Sequence, residues 1–250
     1  AEDTSGKETF QGVPERPKHD TKSVQDRCLN SFLEVNSLMH NSKDVDDSYS
    51  GTTCIGALFH DGKITICNAG DSRAILAKKP AEEGEPLIAE DLSNDQTPYR
   101  KDETKRLKKA GATVATLDQL DGIERMHTQW LKEDIQNSDD VDPPRVWLKD
   151  KSFGVLSTRS IGDAVLEKVG VTAEPEMKTI TLTRDTKMII LASDGVFEFL
   201  DNEVVIDFCA EHDDPLEACR NVVSKSYDAW LDRDVRTDDI SVLCMFVDHS

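Results

Sequence analysis

Paired cysteines, long apolar runs and closely spaced histidines are all missing from this 250-residue sequence. The six cysteines form no C-x-x-C pair and the six histidines are scattered without ligand spacing, so a zinc site is not expected. No apolar run approaches the roughly 20 residues that a membrane helix needs, so a membrane is not an expected partner. The opening stretch, AEDTSGKETF, is polar and acidic and does not resemble a secretory signal.

Basic residues are scarce relative to acidic ones. Thirty lysines and arginines face 49 aspartates and glutamates, which gives a formal net charge of −19. Such a surface repels phosphate backbones, so a nucleic acid is not expected as a partner. The charge indicates a soluble acidic surface that attracts cations weakly, without showing where they bind. The cysteines lie in apolar strand-like or helix-like runs, a pattern typical of reduced thiols in a cytoplasmic or nuclear protein.

The first half of the sequence predicts a tail, a helix and several strands. Residues 1–22 are polar and indicate a tail or loop, and a single domain is expected over residues 23–250. Apolar residues at every third or fourth position from Ser23 predict a helix that ends near Asn41. TCIGALF and KITICNA predict a hairpin around Asp61-Gly62, and the strand AILAK is expected to continue the same sheet.

The second half predicts helices and strands around a long loop. KDETKRLKKA predicts a charged surface helix that Gly111 ends. Residues 116–152 are expected to be irregular, and the acidic stretch 133–142 within them is either a functional loop or a disordered one. KTITLT, KMIILA and ISVLCMFV predict strands, with a turn between the first two, and residues 201–212 and 215–231 predict helices. This combination indicates an α+β fold with antiparallel sheets.

Three aspartates stand at the ends of predicted strands. Asp71 follows KITICNA, Asp194 follows KMIILA, and Asp238 precedes ISVLCMFV. Magnesium and manganese ions prefer oxygen ligands, and carboxylates at the edge of a rigid sheet can hold such ions without burying an unpaired charge. Each aspartate taken alone is more often a turn former. Spacing alone therefore leaves both interpretations open.

Five ordered motifs resemble those of a known family. They are SGTT at 50–53, NAGDSR at 68–73, STRSIGD at 157–163, ILASDGVFEFL at 190–200 and RTDDISVL at 236–243. In this order they resemble the motifs of the metal-dependent, type 2C serine/threonine protein phosphatases, over most of the chain. FEFL, DQTPYR and the segment before RTDDIS are most similar to a plant and protist branch, in which the phosphatase domain is fused to cyclic-nucleotide-binding and kinase domains.

The resemblance implies a fold, a cofactor and an activity. The fold would be a four-layer αββα sandwich of two antiparallel sheets flanked by helices. Two Mg²⁺ or Mn²⁺ ions would lie at one end of the sandwich, and metal-activated water would hydrolyse phosphoserine and phosphothreonine in phosphoprotein substrates.

The resemblance also implies roles for individual residues. By motif, Asp194 and Asp238 match metal ligands, and Asp71 matches a ligand of a third, more weakly held ion. Glu198 and Asp239 stand where the family more often has aspartate and asparagine. The residues expected to support the site or to border the substrate are Glu198, Asp239, Arg159, Asp163, Thr52 and Thr53.

The sequence departs from the family pattern at its beginning. The family has an acidic pair after an arginine and then D-G-H-G, and residues 1–50 contain neither. The aspartate of D-G-H-G bridges the two ions, and the missing segment would also supply strands, so open sheet edges are expected. Three interpretations stay open: a fragment of an active phosphatase, a catalytically inactive pseudophosphatase that acts as a binding or regulatory module, and a non-enzymatic acidic scaffold.

Overall fold

The computed structural model describes residues 21–82, 84–130 and 142–248. The tail over residues 1–20 and nearly all of the acidic stretch 133–142 lie outside the described residues. The helices are α1 Thr21–Asn41, α2 Lys101–Ala110, α3 Leu117–Leu120, α4 Ala164–Glu167, α5 Asp194–Phe197, α6 Asn202–Ala210 and α7 Pro215–Leu231. The strands are β1 Gly51–Thr52, β2 Cys54–His60, β3 Lys63–Ala69, β4 Arg73–Lys78, β5 Ile88–Asp91, β6 Thr113–Ala115, β7 Arg145–Trp147, β8 Gly154–Val155, β9 Ile161–Gly162, β10 Glu176–Thr181, β11 Thr186–Ala192 and β12 Val242–Phe246.

Two antiparallel sheets pack face to face. One has the strand order β10-β3-β2, and the other has the order β12-β11-β4-β5. Alternate residues of β3, β4 and β11, such as Ile66, Leu76 and Ile189, meet in a buried cluster between the sheets. This alternation is the period-two pattern that places one face of each strand in the core.

Helices cover the outer faces of both sheets. The other face of β4 and β11, including Ile75 and Ile190, packs against Val205 of α6 and Val222 of α7. On the opposite side, Gln25 of α1 donates a hydrogen bond to the Thr179 hydroxyl of β10 at 3.3 Å. The layers are therefore helix, sheet, sheet and helix, as expected from the resemblance. Among the described residues, no helix combines the length and apolar character that crossing a bilayer requires.

Several predicted elements are confirmed. The predicted first helix is α1, and the predicted hairpin is formed by β2 and β3. Asp61 and Gly62 both have positive φ values, 48° and 72°, as a type I′ turn requires. Gly111 ends α2 with a φ of 98°, and Pro215 occupies the first turn of α7.

The expected partner of the AILAK strand was wrong. This strand, β4, pairs with β11 and β5, and it lies in the sheet that faces β3. The chain turns at Gly70, where φ is 116°, and crosses from one sheet to the other. The turn between β10 and β11 also crosses between the sheets. The expectation assumed that a short connection keeps two strands in one sheet, but strand order in the sequence does not show which sheet a strand joins.

The segment 116–152, expected to be irregular, contains regular structure in its described part. Thr116 and Gln119 form a reciprocal capping box that begins α3. Strand β7 pairs with β6 and β8 in a small three-stranded sheet. Its core, which includes Leu107, Val114 and Val146, is separate from the two large clusters. Strands this short show too little alternation to be predicted from sequence.

In the part of the chain that the structure describes, each of the two large sheets has two edge strands, β10 and β2 in one sheet and β12 and β5 in the other. Strands β2 and β12 each have a neighbouring strand on one side only. Leu58 and Phe59 of β2 and Leu243 of β12 are about half exposed to solvent. Every open sheet has such edges, so the expectation that the sandwich lacks strands of the family's first segment stays a prediction.

Candidate active site

Sheet register brings the three predicted ligands to one end of the sandwich. Ala192, the last residue of β11, pairs with Arg73 at the start of β4 and with Val242 at the start of β12. Asp194 lies just beyond β11, Asp71 just before β4 and Asp238 shortly before β12. Three loops distant in sequence therefore converge, because their strands are adjacent and antiparallel.

These aspartates line a single cavity of about 280 Å³. Six of its lining side chains are carboxylates, and none of the lining residues that lie in the described part of the chain is a lysine or arginine. A concentration of carboxylate oxygens is the kind of ligand set that divalent ions such as magnesium prefer. The carboxylate lining consists of Asp71, Asp95, Asp194, Glu198, Asp234 and Asp238.

Hydrogen bonds between two loops fix the positions of Asp194 and Asp238. Ser193 donates from its hydroxyl to the Asp239 carbonyl at 3.1 Å and accepts from the Ser241 N–H at 3.0 Å. Gly195 lies so close to this loop that a Cβ there would be 2.4 Å from the Asp239 carbonyl oxygen. Only glycine allows this approach, which explains the glycine that follows the aspartate.

The environment of Asp194 disfavours a bare negative charge. Burial raises the pKa of its carboxyl group, and the nearby carboxylates of Asp238 and Glu198 raise this pKa further. Its Oδ1 atom accepts one hydrogen bond from the Gly195 N–H at 2.9 Å. A divalent cation would relieve the repulsion among these carboxylates, and its preference for oxygen ligands matches the donors present. In their donor chemistry, the residues of the cavity therefore suit Mg²⁺ or Mn²⁺.

Asp95 is a lining residue that the sequence analysis missed. Arg73 holds it in a two-point ion pair, with distances of 3.0 Å to Oδ1 and 2.5 Å to Oδ2. The Arg73 guanidinium also donates to Asn202 and lies 4.6 Å from the centre of the Phe197 ring. Asp95 belongs to DQTPYR, a segment that the sequence analysis used only for its similarity to one branch of the family. Nothing in the neighbouring sequence indicates that the Asp95 carboxylate faces the cavity.

Gln96 is a second residue that the sequence analysis missed. Its side-chain amide is fully buried, accepts from the Gly70 N–H at 2.6 Å and donates to the Asn68 carbonyl at 3.0 Å. It also donates to the Glu176 carboxylate at 3.1 Å. The loop that carries Asp71 is thus held in place by a side chain from another segment.

The supporting residues predicted from sequence fall into two groups. Glu198 lines the cavity, and the Asp239 N–H donates to Asp238 Oδ1 at 2.7 Å. Thr53 packs its methyl group against Gly70 and shares a hydrogen bond of 2.9 Å with the Ser72 hydroxyl. These three lie at or beside the cavity.

Thr52, Asp163 and Arg159 do not line that cavity. Thr52 is exposed in the β1–β9 pair, and the buried carboxylate of Asp163 packs against Gly51. Arg159 donates to both Glu103 oxygens, at 3.1 and 2.9 Å, and to Glu176 at 3.3 Å. Asp163 thus serves packing and Arg159 ion pairing, whereas Thr52 is exposed at the surface.

Arg159 belongs to a cluster of alternating charges, which we call the arginine cluster: Arg100, Asp102, Glu103, Arg106, Arg159 and Glu176. One oxygen from each of its three carboxylates lies within 4.8 Å of the others, which is close enough to share a cation. Three guanidinium groups pair with these carboxylates, so their negative charge is balanced within the cluster.

The fold and the cavity together define an α+β sandwich with an acidic site at one end of its sheets. The family model described as "Protein phosphatase 2C" matches residues 7–229. The chain belongs to the protein phosphatase 2C family. "Probable protein phosphatase 2C 35" of Arabidopsis thaliana is 43% identical over 215 residues, which cover 85% of this chain and 60% of that protein.

Other relatives agree with this assignment. "Probable protein phosphatase 2C 61" of Arabidopsis thaliana is 31% identical over 222 residues, which cover 87% of this chain and 61% of that protein. A crystal structure of a serine-threonine phosphatase 2C from Toxoplasma gondii has a TM-score of 0.71 at 17% identity, and the match covers 90% of this chain and 67% of that one. The structural match supports the fold. The chain spans about three fifths of the length of these curated relatives.

Proposed function

We propose that this domain is the phosphatase part of an enzyme that hydrolyses phosphoserine and phosphothreonine in proteins. Asp194 and Asp238 would hold Mg²⁺ or Mn²⁺, and Asp71 a further, weaker ion. The observation that carries the proposal is the convergence of three loop aspartates in one cavity without a lining lysine or arginine among the described residues. Family membership supplies the reaction class.

The chain's own residues would perform binding and orientation. A bound divalent cation lowers the pKa of water and offsets the negative charge of the phosphoryl group. Ser193 and Gly195 keep two of the proposed ligands at a fixed separation, because they tie the two loops together. Gln96 and Thr53 hold the Asp71 loop in place through their contacts with Gly70. Such fixed ligands need little rearrangement when the substrate binds.

A second candidate function is binding of phosphorylated proteins without hydrolysis. The observation that favours it is that the sequence contains no D-G-H-G, the motif whose aspartate bridges two ions in the family. A cavity with fewer ligands would still attract a cation and, through it, a phosphate. Under either function the partners are phosphoproteins, and the six free cysteines support a cytoplasmic or nuclear location.

One experiment tests the proposed function. Hydrolysis of a phosphothreonine peptide is measured with about 1–5 mM Mn²⁺, a range suited to weak oxygen-ligand sites. The variants are Asp194→Ala and, as a matched control, Asp44→Ala in an exposed loop. We expect turnover by the wild type and by the control, and loss of turnover in Asp194→Ala. Equal rates in all three proteins would contradict the proposal.

Calorimetric titration of Mn²⁺ into the same three proteins gives a readout that does not depend on turnover. Binding to the wild type and the control, weakened in Asp194→Ala, is expected under both candidate functions. Binding without hydrolysis would favour the second function, and the absence of both would exclude metal-dependent action by this chain.

A further inference from the structure

The cavity that holds the carboxylates also has an apolar wall. We use this name for five of its lining residues: Pro143, Pro144, Leu156, Phe199 and Trp230. They come from two directions, because the prolines and Leu156 flank strands of the small sheet, whereas Phe199 follows α5 and Trp230 lies in α7. The cavity is therefore bounded by two separately packed parts of the molecule.

The aromatic half of the wall is held rigidly. The rings of Phe199 and Trp230 meet edge to face, with centroids 4.7 Å apart and an interplanar angle of 73°. The Trp230 indole N–H donates to the Gly195 carbonyl at 2.7 Å, so the polar atom of this ring is satisfied inside the protein. The Arg233 guanidinium lies 4.8 Å from the centre of the Phe199 ring. This pair is fixed beside the residue that follows Asp194.

The other half of the wall exposes apolar surface to solvent. Leu156 is 42% exposed while lining the same cavity. The carboxylates would hold the cations and the cations would hold the phosphoryl group, so the proposed chemistry leaves the apolar side chains without a role. Concave sites that combine apolar surface with a few placed polar groups are typical of ligand binding.

We propose that the apolar wall binds an aliphatic or aromatic side chain that flanks the phosphorylated residue of the substrate. This inference rests on the proposed function for its phosphorylated ligand. The cavity is slightly smaller than the roughly 300–1,000 Å³ of pockets for drug-sized ligands, so it suits one phosphorylated side chain and one neighbour. The competing expectation is that six carboxylates select a basic neighbour.

Binding of non-hydrolysable peptides tests the inference directly. Fluorescent peptides carry the phosphonate analogue of phosphothreonine and differ only in one flanking residue, which is leucine, phenylalanine, serine or lysine, on either side. Their affinities for the full chain are measured by fluorescence anisotropy with Mn²⁺. We expect a leucine or phenylalanine peptide to bind about tenfold more tightly than the serine peptide.

Variants on both sides of the cavity locate the preference. Leu156→Ala and Phe199→Leu should each reduce the apolar-to-serine ratio by about threefold or more, which corresponds to loss of one or two buried methylene groups. Leu216→Ala is the matched control, because Leu216 is 57% exposed in α7 and does not line the cavity. Circular dichroism checks that each variant is folded. Because the two cavity variants lie in different segments, the test still works if one of them misfolds.

Several results would overturn the inference. These are equal affinity for the apolar and serine peptides, tightest binding of the lysine peptide, no binding of any peptide, or a ratio that neither cavity variant changes. Hydrolysis of p-nitrophenyl phosphate, which has no flanking residue, is measured alongside and reports on the proposed function alone. If the chain does not hydrolyse p-nitrophenyl phosphate but keeps the tenfold preference for apolar peptides, the inference stands and the proposed function fails. If it hydrolyses p-nitrophenyl phosphate but shows no preference among the peptides, only this inference fails.

Discussion

At the scale of single residues, Gln96 holds the loop beside the cavity through several buried hydrogen bonds. Its amide satisfies the Gly70 N–H and the Asn68 carbonyl while its own backbone N–H donates to the Gly70 carbonyl at 3.1 Å. The Thr158 N–H donates to the Gln96 carbonyl at 2.7 Å. A single buried residue thus joins the Asp71 loop to two other segments.

Replacing Gln96 with methionine should destabilise the protein and weaken metal binding. Methionine has a similar shape but leaves the Gly70 N–H and the Asn68 carbonyl without this partner in a buried site, at a cost on the order of 3 kcal/mol. Urea denaturation measures the loss, and Mn²⁺ titration reports on the Asp71 loop. Gln129→Met, at an exposed position, should leave both values unchanged. Equal stability of Gln96→Met and wild type would contradict this role.

Glu103 should make stability depend on pH in the acidic range. Burial would raise the pKa of this carboxyl, but hydrogen bonds from Arg159, Arg106 and Thr158 hold it far below the ordinary value of 4.5. Because the pKa is depressed in the folded state, the ionised group contributes stability above pH 4.5, and this contribution is lost as the pH falls below that value.

Glu103→Gln tests this dependence. We expect it to lower the free energy of unfolding by about 3–5 kcal/mol at pH 7, the usual cost of breaking a buried ion pair. The difference from the wild type should shrink as the pH is lowered from about 5 towards 3. Chemical denaturation across this range measures it, with the exposed Glu34→Gln as control. A difference that stays constant with pH would show that the charge is not responsible.

The predicted ligands lie in local sequence motifs, whereas the missed residues reach the cavity through contacts between distant parts of the chain. Asp71, Asp194 and Asp238 adjoin strand ends in recognisable motifs, so their position at the sheet edge follows from the sequence. Asp95 and Trp230 reach the cavity through contacts with Arg73 and Gly195, which lie far from them in the sequence. No local pattern encodes such contacts, and they become visible only in the folded chain.

At the scale of secondary-structure elements, α1 is joined to the loop before β1 through one histidine. His40 Nδ1 lies 2.5 Å from Asp47 and its Nε2 lies 3.2 Å from Glu167 of α4. Burial would lower the pKa of His40, but the bonds to Glu167 and Asp47 raise it above the ordinary value of 6.5. When the ring is protonated, it links the end of α1 to two acidic partners.

His40→Asn should remove a stabilisation that exists only at low pH. A pKa raised by folding gives stability that is full below about 6.5 and disappears as the pH rises through the folded value. The wild type should therefore have the higher melting temperature at pH 6, and the difference should become smaller by about pH 8. Thermal melts at both values test this, with His212→Asn as control. A difference that grows with pH would reverse the assignment.

The positions of the strands were easier to predict from the sequence than the strands with which they pair. The short apolar runs in KITICNA and KMIILA predict the strands β3 and β11, and alternate residues of β11 enter the two clusters on either side of its sheet. The same pattern serves a strand in either sheet, so it did not show that β4 joins β11 instead of β3. Sheet membership depends on how two layers pack, and that information is spread over the whole chain.

At the scale of the whole molecule, the net charge of −19 should make stability sensitive to salt. Raising the ionic strength from about 10 mM to about 150 mM shortens the screening length from roughly 30 Å to roughly 8 Å. Because acidic groups outnumber basic ones, weaker self-repulsion should raise the melting temperature by a few degrees. Tetramethylammonium chloride and sodium chloride are compared, so that screening is separated from specific cation binding. A decrease in both salts would mean that attractive pairs outweigh the repulsion.

The separate core of the small sheet has a consequence for how such a protein diverges. The segment that brings Pro143, Pro144 and Leu156 to the cavity packs around Val114 and Val146, apart from the core that supports Asp194. Changes in one core need not disturb the other. Under the proposed function, mutation in one stretch of chain can alter the choice of target while the residues proposed for the chemistry, in another stretch, stay constant. Relatives can then share a reaction and differ in what they act upon.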